Sequence, residues 1–177
     1  LTDLHYAPTV SDEAFVQHYE YRVNRIRTTA AEVLAEGIDL HGFAEEGALR
    51  TPRVRVDGWT LDVYRNNHRP KNPNDPPPPM PQDIVERLDR FVRVGTLQVQ
   101  DSRIRYTKRP EGVPRTGSIS FDDLWATVYN LTTEPQGLTE SSSAIIDAKT
   151  RVNHAGRLHA IFRIPLAGPH LNFSYRG

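Results

Sequence analysis

The chain has 177 residues, with 22 basic and 22 acidic side chains and no cysteine. This length allows one domain with a real core. The balanced charge argues against a strongly basic nucleic-acid-binding protein, and the missing cysteine excludes disulfides, thiol nucleophiles and Cys-ligated metals. No run of about 18 apolar residues predicts a membrane-spanning helix. Since the chain begins at Leu1 without Met and shows no signal-peptide pattern, we expect a single domain over residues 1–177 that is part of a longer protein.

Two short helices and one proline-rich loop interrupt an otherwise strand-like pattern. The helices are predicted over Asp12 to Tyr19 and over Gln82 to Phe91, each with an apolar stripe at helical spacing. Between them, the segment from Pro70 to Pro81 holds seven of the fourteen prolines, which lack amide donors and have a fixed φ. We therefore expect an exposed polyproline-II loop, with a ligand for an aromatic groove as the functional alternative.

The rest of the chain alternates apolar and polar residues with a period of two, which is typical of strands with one apolar face. Short polar pairs that favour hairpin turns fall at Glu36-Gly37, Asp57-Gly58, Asp101-Ser102 and Asp122-Asp123. Hairpins at these places would set Val33 opposite Leu40, Val54 opposite Leu61, Val99 opposite Ile104 and Phe121 opposite Leu124. The alternative is a continuous strand with a β-bulge at the same place, which also changes the face to which later residues point.

The longest hairpin is predicted near the end of the chain. One alternating strand runs from Ala144 to Val152, a loop over residues 153–157 turns the chain, and a second strand runs from Leu158 to Leu166. The opposite face of this hairpin is polar, and it carries Asp147, Lys149, Arg151, His159 and Arg163. A turn at Gly168-Pro169 then leads into a further strand that contains Leu171, Phe173 and Tyr175.

These patterns predict a mainly β fold, an antiparallel meander of hairpins curled into a groove, a sandwich or an open barrel, with one or two short covering helices. Parallel pairing is not expected, because long helical crossovers and doubly apolar strands are missing. The apolar face is either a filled core, the more common arrangement, or the lining of a lipid groove. Its predicted members are Val54, Val56, Leu61, Val63, Leu97, Val99, Ile104, Tyr106, Phe121, Leu124, Phe162 and Ile164.

No motif for catalysis or for a cofactor stands out. The seven histidines lack the spacing of a zinc site, and the acid pairs Glu45-Glu46 and Asp122-Asp123 fall in a loop and at a turn. Phosphate-binding loops, nucleophile elbows and dinucleotide fingerprints are missing from the sequence. Nineteen arginines against three lysines are expected to pair with acids on the polar face. The sequence therefore predicts a protein that is not an enzyme, with no metal, no cofactor and no nucleic-acid partner.

One stretch resembles a known family. It runs from Val94 to Thr133, VGTLQVQDSRIRYTKRPEGVPRTGSISFDDLWATVYNLTT, and includes an alternating strand pair ending in Ile104-Arg105-Tyr106, a Pro/Gly loop and the motifs GSISFDDL and YNLT. The earlier run PRVRVDGWTLDVYRNNHRP, followed by a proline-rich spacer and a short helix, is similar in order. Together these features resemble the AsmA-like bacterial cell-envelope proteins, in particular a subgroup known as a domain of unknown function.

The resemblance implies a periplasmic domain of a Gram-negative-type bacterium, within a protein anchored in the inner membrane by a helix that precedes Leu1. It also implies long curled β-sheets whose apolar groove handles phospholipid acyl chains, for transport between membranes or for outer-membrane maintenance. The family supplies no catalytic residues. The alternative interpretation is a β-sandwich scaffold or a module that binds a protein or a polysaccharide through loops such as Pro70 to Pro81.

Overall fold

The computed structural model describes residues 1–74, 91–112, 115–134, 138–139, 142–166 and 174–176. Within these ranges the chain forms one mostly antiparallel sheet that curls into a partial ring, not a closed barrel, together with two short helices. The strands are β1 (Thr2–Tyr6), β2 (Asn24–Glu36), β3 (Leu49–Asp57), β4 (Thr60–Asn66), β5 (Val92–Arg109), β6 (Gly117–Thr132), β7 (Ser143–Val152), β8 (Gly156–Pro165) and β9 (Ser174–Arg176), and the helices are α1 (Asp12–His18) and α2 (Leu40–Glu46). The predicted mainly β class is confirmed.

β3 and β4 lie end to end along one line of the sheet, between β2 and β5. Both pair antiparallel with β2, and the register is the same on either side of the junction between them. The hairpin predicted at Asp57-Gly58 is therefore wrong, and Val54 lies opposite Ala35 where Leu61 was expected. The thirteen-residue strand β2 is long enough to pair with both β3 and β4. Gly58, with a φ of +62°, lies between β3 and β4, where the chain bends.

The sheet contains one parallel junction, which the sequence argument excluded. β3 and β4 both run parallel to β5, with Val56 next to Val99 and Leu61 next to Ile104. Residues 67–91, which contain the proline-rich segment, connect the end of β4 to the start of β5. The expectation was wrong because a parallel pair needs a long crossover, and these 25 residues provide the necessary length.

β5 and β6 are unbroken strands that contain β-bulges where hairpins were predicted. Asp101 and Asp123 adopt positive φ values of 46° and 50°, and the β5–β6 register shifts on both sides of Ser102. The bulge alternative is thus confirmed at both places. Val99 lies opposite Ala126, and Phe121 lies opposite Ile104, instead of the partners that hairpins would have given.

The turn predicted at Glu36-Gly37 leads into a helix instead of a returning strand. Gly37 has a positive φ, and Asp39 then caps α2 by accepting a hydrogen bond from the Gly42 amide at 2.9 Å. Gly47, in the left-handed conformation, ends the helix. Leu40 is therefore the first residue of α2 and does not face Val33. The capping residues at both ends stabilise a helix here, although the alternation of apolar and polar residues favoured a strand.

Other predicted elements agree with the structure. α1 covers Asp12–His18, and β7 and β8 form the expected hairpin, with Ile146 opposite Phe162 and Ala144 opposite Ile164. Of the predicted last strand, residues 174–176 are described and form β9, which pairs with β8. The predicted turn at Gly168-Pro169 and the strand residues Leu171 and Phe173 lie outside the described ranges. The helix predicted over Gln82 to Phe91 lies outside the described ranges except for Phe91, as do residues 75–81 of the predicted Pro70–Pro81 loop.

The described part of the chain is a single layer with little core. Its buried apolar residues are Ala30, Ala48, Val94, Leu124, Ala144 and Ala160, and no large side chain in these ranges is fully buried. Elements that pack together are mainly hydrogen-bonded neighbours in the sheet, plus α2 against β3. The predicted sandwich would need a second sheet, and the described residues form only one. Among them, no helix has the length and apolarity needed to cross a membrane.

Candidate functional site

Apolar side chains form continuous rows across the strands. Residues directly opposite each other in neighbouring strands point to the same face of a sheet. One row consists of Val33, Val56, Val99, Ala126, Ala148 and Ala160, and the next consists of Ala35, Val54, Leu97, Val128, Ile146 and Phe162. Two further rows contain Leu61, Ile104, Phe121 and Val152, and Val63, Tyr106 and Ile119.

Along β6 and β7, a bulge keeps the rows of Phe121 and Ala126 on one face. Phe121 and Ala126 are five positions apart, so simple alternation would send them to opposite faces. Their partners on β7, Val152 and Ala148, are four positions apart in a strand that has no positive φ value, and these two side chains therefore share a face. The extra residue in β6 between Asp122 and Trp125 places Phe121 and Ala126 on the same face as these β7 partners. We call this surface the apolar face.

A cleft of about 530 Å³ opens on the apolar face near β1. It is lined by Leu4, His5, Tyr6, Thr28, Thr29, Ala30, Val33, Val56, Trp59, Leu97 and Val99. Leu4 and Tyr6 are 40% and 63% exposed, although their side chains are largely apolar. No described element lies over the cleft as a second layer. The volume falls within the roughly 300–1,000 Å³ that is usual for small-molecule sites.

Trp59 is held rigidly at the edge of this cleft. Its indole Nε1 donates a hydrogen bond to Thr28 Oγ1 at 2.8 Å, and its backbone amide donates to Ser102 Oγ at 3.0 Å. Thr28 Oγ1 in turn donates to the carbonyl of Thr60 at 2.9 Å. These bonds satisfy the polar atoms of Trp59 and of the Thr28 hydroxyl, and the surface that the cleft presents is mainly hydrocarbon.

Three of the twelve residues predicted for the apolar face, Val56, Leu97 and Val99, line the cleft. Eight others lie in the rows or next to them: Val54, Leu61, Val63, Ile104, Tyr106, Phe121, Phe162 and Ile164. Leu124 lies at the bulge, opposite Ser102, and is buried. The β1 and β2 walls of the cleft were not predicted from the sequence, although Leu4 and Tyr6 do alternate and could have been identified from that signal.

The opposite surface, the polar face, carries paired charges. Arg55 contacts Asp57 at 2.8 Å and Glu32 at 3.0 Å, and these two partners raise its pKa above the ordinary value. Arg151 contacts Asp123 at 2.5 Å. The predicted role of the arginines, pairing with acids on the polar side, is confirmed for these residues.

Among the described side chains, the most buried carboxylate belongs to Asp122, which is 4% exposed. Its Oδ2 accepts a hydrogen bond from Ser120 Oγ at 2.6 Å and lies 3.2 Å from Nδ1 of His154. The Ser120 hydrogen bond, aided by His154 and opposed by burial, lowers the pKa of Asp122 below its usual value. A nucleophilic serine needs an imidazole against its hydroxyl, whereas here the carboxylate lies between the two groups. The cluster therefore fastens the β7–β8 turn to β6.

The remaining histidines and acids stay apart. His159 Nε2 contacts Asp147 Oδ1 at 2.7 Å on the polar face, and His41 contacts Glu45 at 3.2 Å on exposed α2. No group of three or more histidine or acidic side chains able to hold a metal ion occurs in the described part of the chain. Arg50 joins Glu134 and Glu46 in an ion-pair cluster that ties α2 to the sheet, and this cluster lies away from the cleft.

The fold and the cleft together define a single-sheet β protein with one apolar face uncovered by its described elements. Comparison with protein families finds no family model that matches the chain. No curated protein matches it either.

Proposed function

We propose that this chain is a non-catalytic lipid-handling domain whose apolar face holds the acyl chain of a phospholipid. The observation that carries the proposal is the cleft of about 530 Å³ on the apolar face, which no described element covers. Transfer of hydrocarbon from water to such a surface is favourable by about 0.8 kcal/mol for each buried CH₂ group.

The shape of the sheet supports an extended occupant. Rows of apolar side chains continue from the cleft across β3, β5, β6, β7 and β8, so a flexible hydrocarbon chain could follow them. The hydrogen-bonding groups in the wall, on Thr28 and Trp59, are already satisfied, which favours an apolar ligand over one that needs polar partners.

The resemblance to AsmA-like proteins supports the biological setting of the proposal. In this setting the domain belongs to a longer protein that is anchored in the inner membrane and lies in the periplasm of a Gram-negative-type bacterium. Its role there is phospholipid transport between membranes or outer-membrane maintenance.

The two tryptophans provide a direct test, since Trp59 lines the cleft and Trp125 lies on the polar face. The Trp125→Phe protein keeps Trp59 as its sole indole. Titration with dodecanoic acid carrying bromine at the end of its chain is expected to quench Trp59 saturably, because bromine quenches an indole that it contacts. The matched Trp59→Phe protein, whose indole is on the other face, is expected to show little quenching.

A second variant tests the position of the chain without removing apolar surface. Val33→Phe places a larger side chain in the cleft and is expected to weaken quenching of Trp59 while leaving the melting temperature nearly unchanged. Equal quenching of both indoles, or no effect of Val33→Phe, would contradict binding in the cleft. Mass spectrometry of lipids extracted from the purified protein then identifies the natural occupant.

A further inference from the structure

A second cleft, of about 380 Å³, lies on the polar face over β5, β6 and β7. Its lining combines the aromatic ring of Trp125 with the polar side chains of Gln98, Gln100, Thr127, Asp147 and Lys149, and it also includes Val99 and Ala126. Trp125 is 48% exposed, although tryptophan is usually well buried when it serves only packing. We propose that this polar cleft binds a neutral saccharide, with Trp125 as the stacking platform.

The indole provides the apolar half of such a site. Trp125 lies on β6 directly opposite Lys149, so its position is fixed by the ladder of the sheet. The C–H face of a sugar ring is an apolar surface on an otherwise polar molecule, and a flat exposed indole matches it. An aromatic side chain in this position offers a large contact area and loses little conformational entropy on binding.

Side-chain amides and a hydroxyl provide the polar half. Gln98 lies opposite Thr127, which in turn lies opposite Asp147, so three polar side chains form a row beside the indole. Gln98 and Gln100 each carry two donors and one acceptor oxygen, and neither side chain is in a hydrogen bond within the described ranges. This arrangement can both donate to and accept from ligand hydroxyls.

The charges around the cleft favour a neutral ligand over a phosphate. Asp147 and Lys149 are of opposite sign and lie on the same strand. The neighbouring cations Arg55 and Arg151 are held in ion pairs with acidic side chains. Binding of a phosphate or a nucleic acid requires an excess of cations that can face the ligand. Lys149 is the one lysine of the lining, and Asp147 offsets it.

The test uses the Trp59→Phe protein, in which Trp125 is the sole indole. Maltotriose, cellotriose and the trimer of N-acetylglucosamine are titrated separately while Trp125 emission is followed. At least one of them is expected to give a saturable change. Binding of that trisaccharide, measured by calorimetry, is expected to weaken at least about tenfold in Trp125→Ala, and about two- to tenfold in Gln98→Ala.

Tyr129 offers a matched control. It is an exposed aromatic residue (43%) on the same strand, four positions from Trp125 and outside the lining of the cleft. Tyr129→Ala is expected to bind within about twofold of the parent, and Trp125→Tyr, which keeps a stacking ring, to retain most of the affinity. Failure of all three sugars to give a saturable change, or equal losses in Trp125→Ala and Tyr129→Ala, would overturn the proposal.

Discussion

The parallel junction between β3 and β5 depends on a close approach of two backbones at Gly95. A Cβ atom built on Gly95 would lie 2.7 Å from the carbonyl oxygen of Pro52, whereas ordinary contact begins near 3.4 Å. Pro52 lies inside β3, where it has no amide to donate to the ladder, and the neighbouring pairs Thr51–Val94 and Arg53–Thr96 hold the strands together. A side chain at position 95 would push these strands apart.

We therefore predict that Gly95→Ala destabilises the protein. The two atoms must separate by about 0.7 Å, from 2.7 to 3.4 Å, and one of them is a backbone oxygen that cannot rotate away. Overpacking of this kind costs about 1–3 kcal/mol. For a chain of this size each kcal/mol lowers the melting temperature by about 2–4 °C, so a cost near 2 kcal/mol corresponds to about 4–8 °C.

Thermal and urea unfolding followed by circular dichroism measure this effect. Gly117→Ala is the matched control, since Gly117 is also in a strand and an added Cβ there meets nothing within 4 Å. The control is expected to be neutral or stabilised by up to about 1 kcal/mol, because alanine reduces the entropy of the unfolded chain. If Gly95→Ala were as stable as Gly117→Ala, the close packing of the parallel junction would be refuted.

Three further predictions address the ligand, the buried carboxylate and the strand junction. Each CH₂ added to a fatty acid should tighten binding about fourfold, corresponding to about 0.8 kcal/mol, until the cleft is filled. Displacement of a fluorescent fatty acid from the protein measures these affinities. An affinity that does not depend on chain length would contradict binding in the cleft. Because the pKa of Asp122 is lowered from its usual 3.8, its contribution is present above about pH 4 and is lost as the pH falls through the lowered value. The stability difference between the wild type and Asp122→Asn, measured by urea unfolding, should thus shrink below pH 4, and a constant difference would contradict this. Gly58→Ala and Gly112→Ala should each lower the free energy of unfolding by about 1–2 kcal/mol, because both glycines have a positive φ. The loss should be larger at Gly58, where an added Cβ would lie 3.0 Å from the Cβ of Ala31. Equal melting temperatures of these two variants would argue against this close contact.

The apolar face was predictable because alternation depends only on local sequence, whereas the strand pairing was not. The same polar residues that favour a tight turn, such as Asp101 and Asp123, also tolerate a positive φ inside a strand. A bulge and a hairpin therefore leave nearly the same signal in the sequence. Which of the two forms depends on strand partners that are distant in the chain, such as the long strand β2, which pairs with both β3 and β4.

The clefts were harder to predict for a related reason. The first is formed where β1 pairs with β2, so that Leu4 faces Ala30 and Tyr6 faces Thr28, and no local pattern indicates this register. The second depends on the β6 bulge, which sets Trp125 opposite Lys149 on the polar face. In each case the sequence shows the residue types, but the strand register determines which of these residues lie close together.

Both clefts follow from the same structural fact, that the described sheet is one layer thick. In a sandwich, one face of each sheet is buried against its partner and cannot bind anything. Here no described element covers either face, so β5 and β6, which contribute Val99 and Ala126 to the apolar rows, also position Gln98 and Trp125 on the other side. A ligand on either face would stabilise the folded state through mass action, by about 2.7 kcal/mol at a hundredfold excess over the dissociation constant. A ligand on the apolar face would therefore supply some of the stability that a thicker protein obtains from its core.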